Sequence, residues 1–179
     1  ADGQIPADLL DRYLIMGELS LDGSVRAIRG ALPIAIQARS EGFEGFILPA
    51  PNAREAAVVN QLKVYSARSL REVIDMLSGQ SLLPQVEVDT RGEFYEAQGV
   101  SPFDFAEVRG QETVKRALEV AAAGGHNLLM IGAPGSGKSM MAKRLSGILP
   151  PFTLRESLET TKVYSVAGKL GKDVTLLTT

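Results

Sequence analysis

The sequence predicts an α/β protein made of two units in series, and three observations carry that prediction. Short apolar runs alternate with helix-period stretches from Tyr13 to Gly79, the pattern of a sheet with helices packed on it. Periodicity lapses between residues 80 and 105, where Gln, Ser, Pro, Gly and charged residues gather as they do in interdomain linkers. A helical stripe, an apolar run, a glycine-rich octet and a further helix then follow in close succession. The units expected are residues 1–80, a linker at 81–102, and 103–179.

The elements of the first unit can be justified in order. Strands are expected at Tyr13–Leu19, Val25–Ile28, Phe46–Leu48 and Lys63–Tyr65, each a short apolar or β-branched run. Asp22-Gly23 marks a hairpin between the first two, because tight hairpin turns need residues that tolerate positive φ. Helices fill the gaps at Ala31–Ser40, Ala53–Asn60 and Leu70–Leu77. The last opens on Ser69-Leu70-Arg71-Glu72, a capping box, and carries Leu70, Val73, Ile74 and Leu77 at helical spacing, a core-facing stripe.

In the second unit, Gln111–Ala123 has its stripe at Val114, Ala117, Leu118 and Ala121, and Gly124-Gly125 stops it. A buried strand is expected at Leu128–Ile131, and a helix from about Lys138 to Ile148 that Pro150-Pro151 ends. Between them, Gly132-Ala133-Pro134-Gly135-Ser136-Gly137-Lys138-Ser139 fits G-x-x-x-x-G-K-[ST], the Walker A or P-loop pattern. Glycines let the loop wrap so that successive N–H groups converge on an anion, and the following helix start adds its own unpaired donors. Lys138 is expected to reach the β and γ phosphates of ATP, and the Ser139 hydroxyl to take a position on Mg²⁺. Met140 follows on the same helix turn and completes the nucleotide-binding candidates of the loop.

Hydrolysis needs more: an acidic residue for magnesium, a residue to orient water, and often an arginine. No apolar run ending in Asp-Glu follows Ser139, and the nearest acidic residues, Glu156 and Glu159, lie in polar helical sequence. The catalytic residues are therefore unassigned. The chain is expected to bind ATP without efficient turnover.

Composition narrows the remaining classes. With 45% apolar and 22% charged residues in 179, the chain can bury one sizeable core or two small ones. No run approaches the ~20 apolar residues a membrane helix needs, and Ala1 to Asp8 lacks a signal peptide's basic and apolar segments, so a cytoplasmic setting with no membrane partner is expected. The absence of cysteine excludes disulfides and thiolate metal sites, and the lone His126 reads as a packing or capping residue. Residues 1–100 hold 9 basic and 14 acidic side chains against 10 and 7 in residues 101–179, which suggests different partners for the halves.

Phe103-Asp104-Phe105-Ala106-Glu107-Val108-Arg109-Gly110-Gln111, a helix, and then His126 through Ser139 resemble the entry to an AAA+ module of the magnesium-chelatase type. Ile148-Leu149-Pro150-Pro151 and Tyr164-Ser165-Val166-Ala167-Gly168 look like its continuation. The resemblance implies that the segment around Val108 and Gly110 lines the adenine pocket, and that Walker B, sensors and arginine finger lie beyond Thr179.

Gly17-Glu18-Leu19-Ser20-Leu21-Asp22-Gly23-Ser24-Val25-Arg26, then Gly30 and a helix, resemble the proteolytic domain of Lon and the similar domain of RadA. A Lon-like unit ahead of the ATPase is the order of the competence protein ComM family. That likeness implies a hexameric homo-oligomeric ring acting on DNA, in branch migration during recombination or natural transformation. The alternatives are a chelatase motor subunit inserting magnesium into a porphyrin, and a nucleotide-dependent interaction module. Lon-type proteolysis needs a serine nucleophile, which by the likeness would lie upstream of Ala1, and a lysine base. At the matching position, two residues past Gly30, stands Leu32, and the first lysine is Lys63, so a non-proteolytic scaffold is expected.

Overall fold

The computed structural model describes residues 7–98, 103–171 and 174–178. It divides into two compact units, Ala1–Glu96 with Leu154–Leu177, and Ala97–Thr153 with Thr178–Thr179.

The first unit runs α1 (Ala7–Leu10), β1 (Tyr13–Ile15), β2 (Glu18–Leu19), β3 (Val25–Arg26), α2 (Ala31–Ser40), β4 (Gly45–Pro49), α3 (Ala50–Ala56), β5 (Lys63–Ala67), α4 (Leu70–Leu77), β6 (Gln85–Val86) and α5 (Thr90–Ala97). Four strands form one mixed sheet in the order β1-β4-β5-β6, parallel except for β5–β6, while β2 and β3 make a separate antiparallel pair. β4 is central and buried throughout. Phe46 and Leu48 face the cluster built with Ala31, Leu32, Ala35 and Ala53, and Ile47 faces the cluster of Val73, Leu77 and Leu83. Burying side chains of this size contributes roughly 1.5–3 kcal/mol each, so the strand belongs at the middle of the unit.

Several elements differ from expectation, each for a local reason. The first expected strand breaks at Met16-Gly17, where the backbone packs closely on Pro49: an added Cβ at Gly17 would lie 3.3 Å from Pro49 Cγ, a tight contact. β3 stops before Ile28 because Asn52 takes both of that residue's backbone groups, accepting from its N–H and donating to its C=O at 2.9 Å each. Helix α3 begins three residues early, with Pro51 in its first turn where a missing N–H costs nothing. Within the stretch read as a linker, residues 81–98 carry β6 and α5, and Phe94 is fully buried in the first unit's core. Residues 99–102 of that stretch, like the outer ends Ala1 and Thr179, lie outside the described residues.

The second unit contains a 3₁₀ turn at Phe105–Glu107, α6 (Glu112–Gly124), α7 (Lys138–Arg144) and a second 3₁₀ turn at Leu145–Gly147. Its core is small: Val108, Leu118 and Met141 are buried, with Phe105, Val114, Met130, Leu145 and Ile148 against them. The strand expected at Leu128–Ile131 does not form. A strand exists only where another pairs with it, and among the described residues this unit offers none. Leu129 and Ile131 are consequently 83% and 88% exposed.

Helix α8 (Leu154–Val166), downstream of the P-loop in sequence, is part of the first unit, with Leu154 and Leu158 packed on its core.

Candidate functional site

The octet Gly132–Ser139 folds as a loop leading into α7. Two of its glycines are required by conformation: Gly135 and Gly137 lie at φ 81° and 84°, the left-handed region that a side chain disfavours. Pro134-Gly135 makes the turn, and Ser136 N–H closes it on Ala133 C=O at 3.3 Å. Gly137 caps α7 and accepts from Met141 N–H at 2.9 Å.

Lys138 does not extend into solvent. Its ammonium donates to Gly132 C=O at 2.8 Å, to Ala133 C=O at 2.7 Å and to Ser136 Oγ at 3.1 Å, so one cation ties both arms of the loop. The N–H groups of Gly135, Gly137, Lys138 and Ser139 take no acceptor among the described residues. A cation held amid unpaired amides is the arrangement an anion completes, and the donor set suits phosphate oxygens. The Ser139 hydroxyl is exposed on the first turn of α7, open to a hard cation.

The other candidates divide. Met140 is exposed beside the loop, its Cε near the position a Cβ on Gly137 would occupy, at 3.4 Å. Val108 is buried against Leu118 and Met141, so only its backbone can face a ligand. Gly110 is left-handed at φ 67° with open space around its Cα. His126 lies against Gly124 at the end of α6, where its N–H closes the helix by donating to Ala121 C=O at 2.9 Å. That is a packing role.

Two features were not read from the sequence. Gln111, also left-handed at φ 58°, sends its side-chain amide to Ser136 C=O at 3.5 Å. Arg144, at the far end of α7, is tied to Asp104 and Glu107. Those partners lie 40 and 37 residues away, beyond any local pattern. A cavity of about 380 Å³ adjoins the loop, lined by Gln111, Val114, Leu128, Ile131, Lys138 and Met141.

In the first unit, Leu32 is fully buried and its N–H donates to Glu55 Oε1 at 3.0 Å, so the position matching the Lon base holds an inaccessible aliphatic side chain.

Comparison with known proteins places the chain in a family. Residues 104–178 match the family described as magnesium chelatase, subunit ChlI, and residues 1–52 match the family described as subunit ChlI of Mg-chelatase. The chain is 42% identical over 175 residues to an uncharacterized protein of Mycobacterium tuberculosis, covering 97% of this chain and 33% of that one. It is 38% identical over 166 residues to the competence protein ComM of Haemophilus influenzae, covering 93% and 32%. Over 58 residues it is 41% identical to the archaeal Lon protease of Halobacterium salinarum, 32% of this chain and 8% of the relative. The chain thus spans about a third of the length of the first two relatives.

Proposed function

The chain belongs to the magnesium-chelatase-like ChlI family, and on that premise we propose that it is the ATP-binding part of a ring-forming AAA+ motor that acts on DNA. The observation that carries the ATP-binding part is the Lys138 ammonium fixed across the loop beside the open amides of Gly135, Gly137, Lys138 and Ser139. In this reading those amides and Lys138 bind the phosphates, Ser139 contributes a ligand to magnesium, Met140 flanks them, and the backbone at Val108 and Gly110 borders the nucleoside. ATP would supply the free energy for movement; this chain's residues bind and orient it. No magnesium-holding acid is identified after Ser139, so binding and turnover should separate in this chain.

The DNA role and the ring rest on the similarity to ComM. The first unit is proposed to be a Lon-like scaffold without peptidase activity, supported by the short similarity to archaeal Lon protease and by buried Leu32. A chelatase motor is the second reading, favoured by the family description matched over residues 104–178. Stimulation of ATP turnover in a full-length parent by forked DNA supports the first, and stimulation by porphyrin the second.

The direct test titrates the chain and Lys138→Ala with a fluorescent ATP analogue and assays phosphate release. Losing a charged hydrogen-bond donor costs about 1.5–3 kcal/mol, so affinity should fall roughly 10- to 100-fold. Equal affinity in the variant would show that the loop is not the site.

A further inference from the structure

Arg144 ends the seven-residue α7 that the phosphate loop's lysine begins, and its side chain is only 12% exposed. Its Nε donates to Asp104 C=O at 2.9 Å, its Nη1 to Met140 C=O at 3.2 Å and its Nη2 to the Glu107 carboxylate. The Phe103 ring lies beneath the guanidinium, 5.9 Å from carbon to centroid. A planar fork of donors can serve three acceptors in different directions while covering an aromatic face, and a lysine cannot.

What Arg144 holds is the start of the second unit. Asp104 caps the Phe105–Glu107 turn by accepting from Ala106 N–H at 2.9 Å, and Val108 is sunk into the core against Met141 of α7. The chain then passes through two consecutive left-handed residues, Gly110 and Gln111, into α6. A left-handed non-glycine residue costs about 1 kcal/mol and persists only where its surroundings impose it. Here the anchor at 104–108 on one side and α6 on the other impose it, and the result places the Gln111 amide on Ser136 of the loop.

We propose that Arg144 and Glu107 are a positioning pair for the nucleotide site: they hold the segment 108–111 against the phosphate loop, and that segment makes the site prefer a nucleoside triphosphate to bare triphosphate. The inference rests on the phosphate-loop reading above. Arg144 makes no hydrogen bond to Gly132–Ser139, reaching only the Met140 carbonyl one residue beyond, and carries none of the open amides, so its removal leaves the phosphate donors in place. Only the part of the ligand beyond the phosphates should notice.

The test measures Mg·ATP and inorganic tripolyphosphate, each competing against a fluorescent ATP analogue, on the 179-residue chain, Arg144→Gln, Glu107→Gln and the double variant, with thermal melting of each. Losing the charged bonds of Arg144 predicts about a tenfold or greater loss of ATP affinity, and losing its half-exposed partner Glu107 about a three- to fivefold loss, with the double variant no worse than Arg144→Gln and less than about a twofold change for tripolyphosphate. Equal losses for both ligands, or none, overturn the proposal and leave the loop reading standing. So does an unmodified chain that binds both ligands alike. An unmodified chain that binds neither overturns the loop reading and the proposal with it. Should Arg144→Gln melt early, Glu107→Gln, which leaves the guanidinium and its backbone contacts in place, decides.

Discussion

Lys138 spends its charge on three oxygens of its own loop, which means that phosphate binding would exchange bonds rather than create them from nothing. Lys138 keeps the loop shaped before the anion arrives and then trades carbonyl partners for phosphate oxygens of full negative charge, while the neighbouring amides add bonds that were not made before. Leu32 shows the opposite use of a residue. It occupies the first turn of α2, which Gly30 cannot cap with a side chain, and the turn is satisfied instead by Glu55 reaching across to the Leu32 N–H. A lysine introduced there would place an ammonium in an apolar cluster beside Phe46 and Ala53 rather than in a catalytic dyad. Leu32→Lys should therefore destabilise the first unit by several kcal/mol in urea unfolding and yield no cleavage of casein. A stable Leu32→Lys protein that cleaved peptides would sink the scaffold reading of this half.

Among the elements, helices were legible where their stripes repeat, as at Leu70–Leu77 and the run ending at Gly124, because helical bonds and side-chain spacing are local, and Ala31–Ser40 was legible as the stretch between strands. The capping box at Ser69 was legible too, with one change: Ser69 Oγ accepts from Glu72 N–H at 3.3 Å as expected, while Glu72 reaches one residue further back, to Arg68 N–H at 2.7 Å. Helix α5 was missed because only Thr90 and Phe94 of it are buried, too few positions to show a period. The loop's residues were legible from their spacing, but the Arg144 anchor was not, since no spacing rule links a helix C-terminus to a turn 37 residues earlier. Leu128–Ile131 failed for a different reason: an apolar run has strand propensity, yet the pairing that makes a strand is not local. Leu129→Ser with Ile131→Ser should accordingly change the chain's unfolding free energy by no more than ~0.5 kcal/mol, as for exposed positions elsewhere. Amide exchange should be fast at residues 128–131 and slow along β4. A destabilisation of several kcal/mol in the double variant would mean that this run is paired and buried in solution.

At the scale of the whole molecule, the chain completes its first unit only after making its second, because Leu154–Leu177 returns to the unit begun by residues 1–96. The returning helix α8 buries an unusual face, Ser157, Thr161 and Ser165, and each hydroxyl there has a partner. Ser157 donates to Leu177 C=O, Thr161 donates to Ser157 C=O at 2.7 Å and accepts from Leu177 N–H at 3.0 Å, and Ser165 donates to Glu55, the carboxylate that also serves α2. Gly30 N–H, at the entry to α2, donates to Ser165 C=O at 3.2 Å. Leu176 is buried with the core and Thr175 donates to Glu93 of α5 at 2.5 Å. Ending the chain after Thr153 would remove all of these at once, exposing one side of α2 and leaving Glu55 with fewer donors, while residues 97–153 stay covalently whole. The loss of several buried hydrogen bonds and two or three apolar contacts amounts to a few kcal/mol, which should lower the first unit's melting temperature on the order of 10 °C. Amide protection along Ala31–Ala38 should fall with it. If the truncated chain melted at the same temperature with α2 equally protected, α8 would be no part of the first unit's stability.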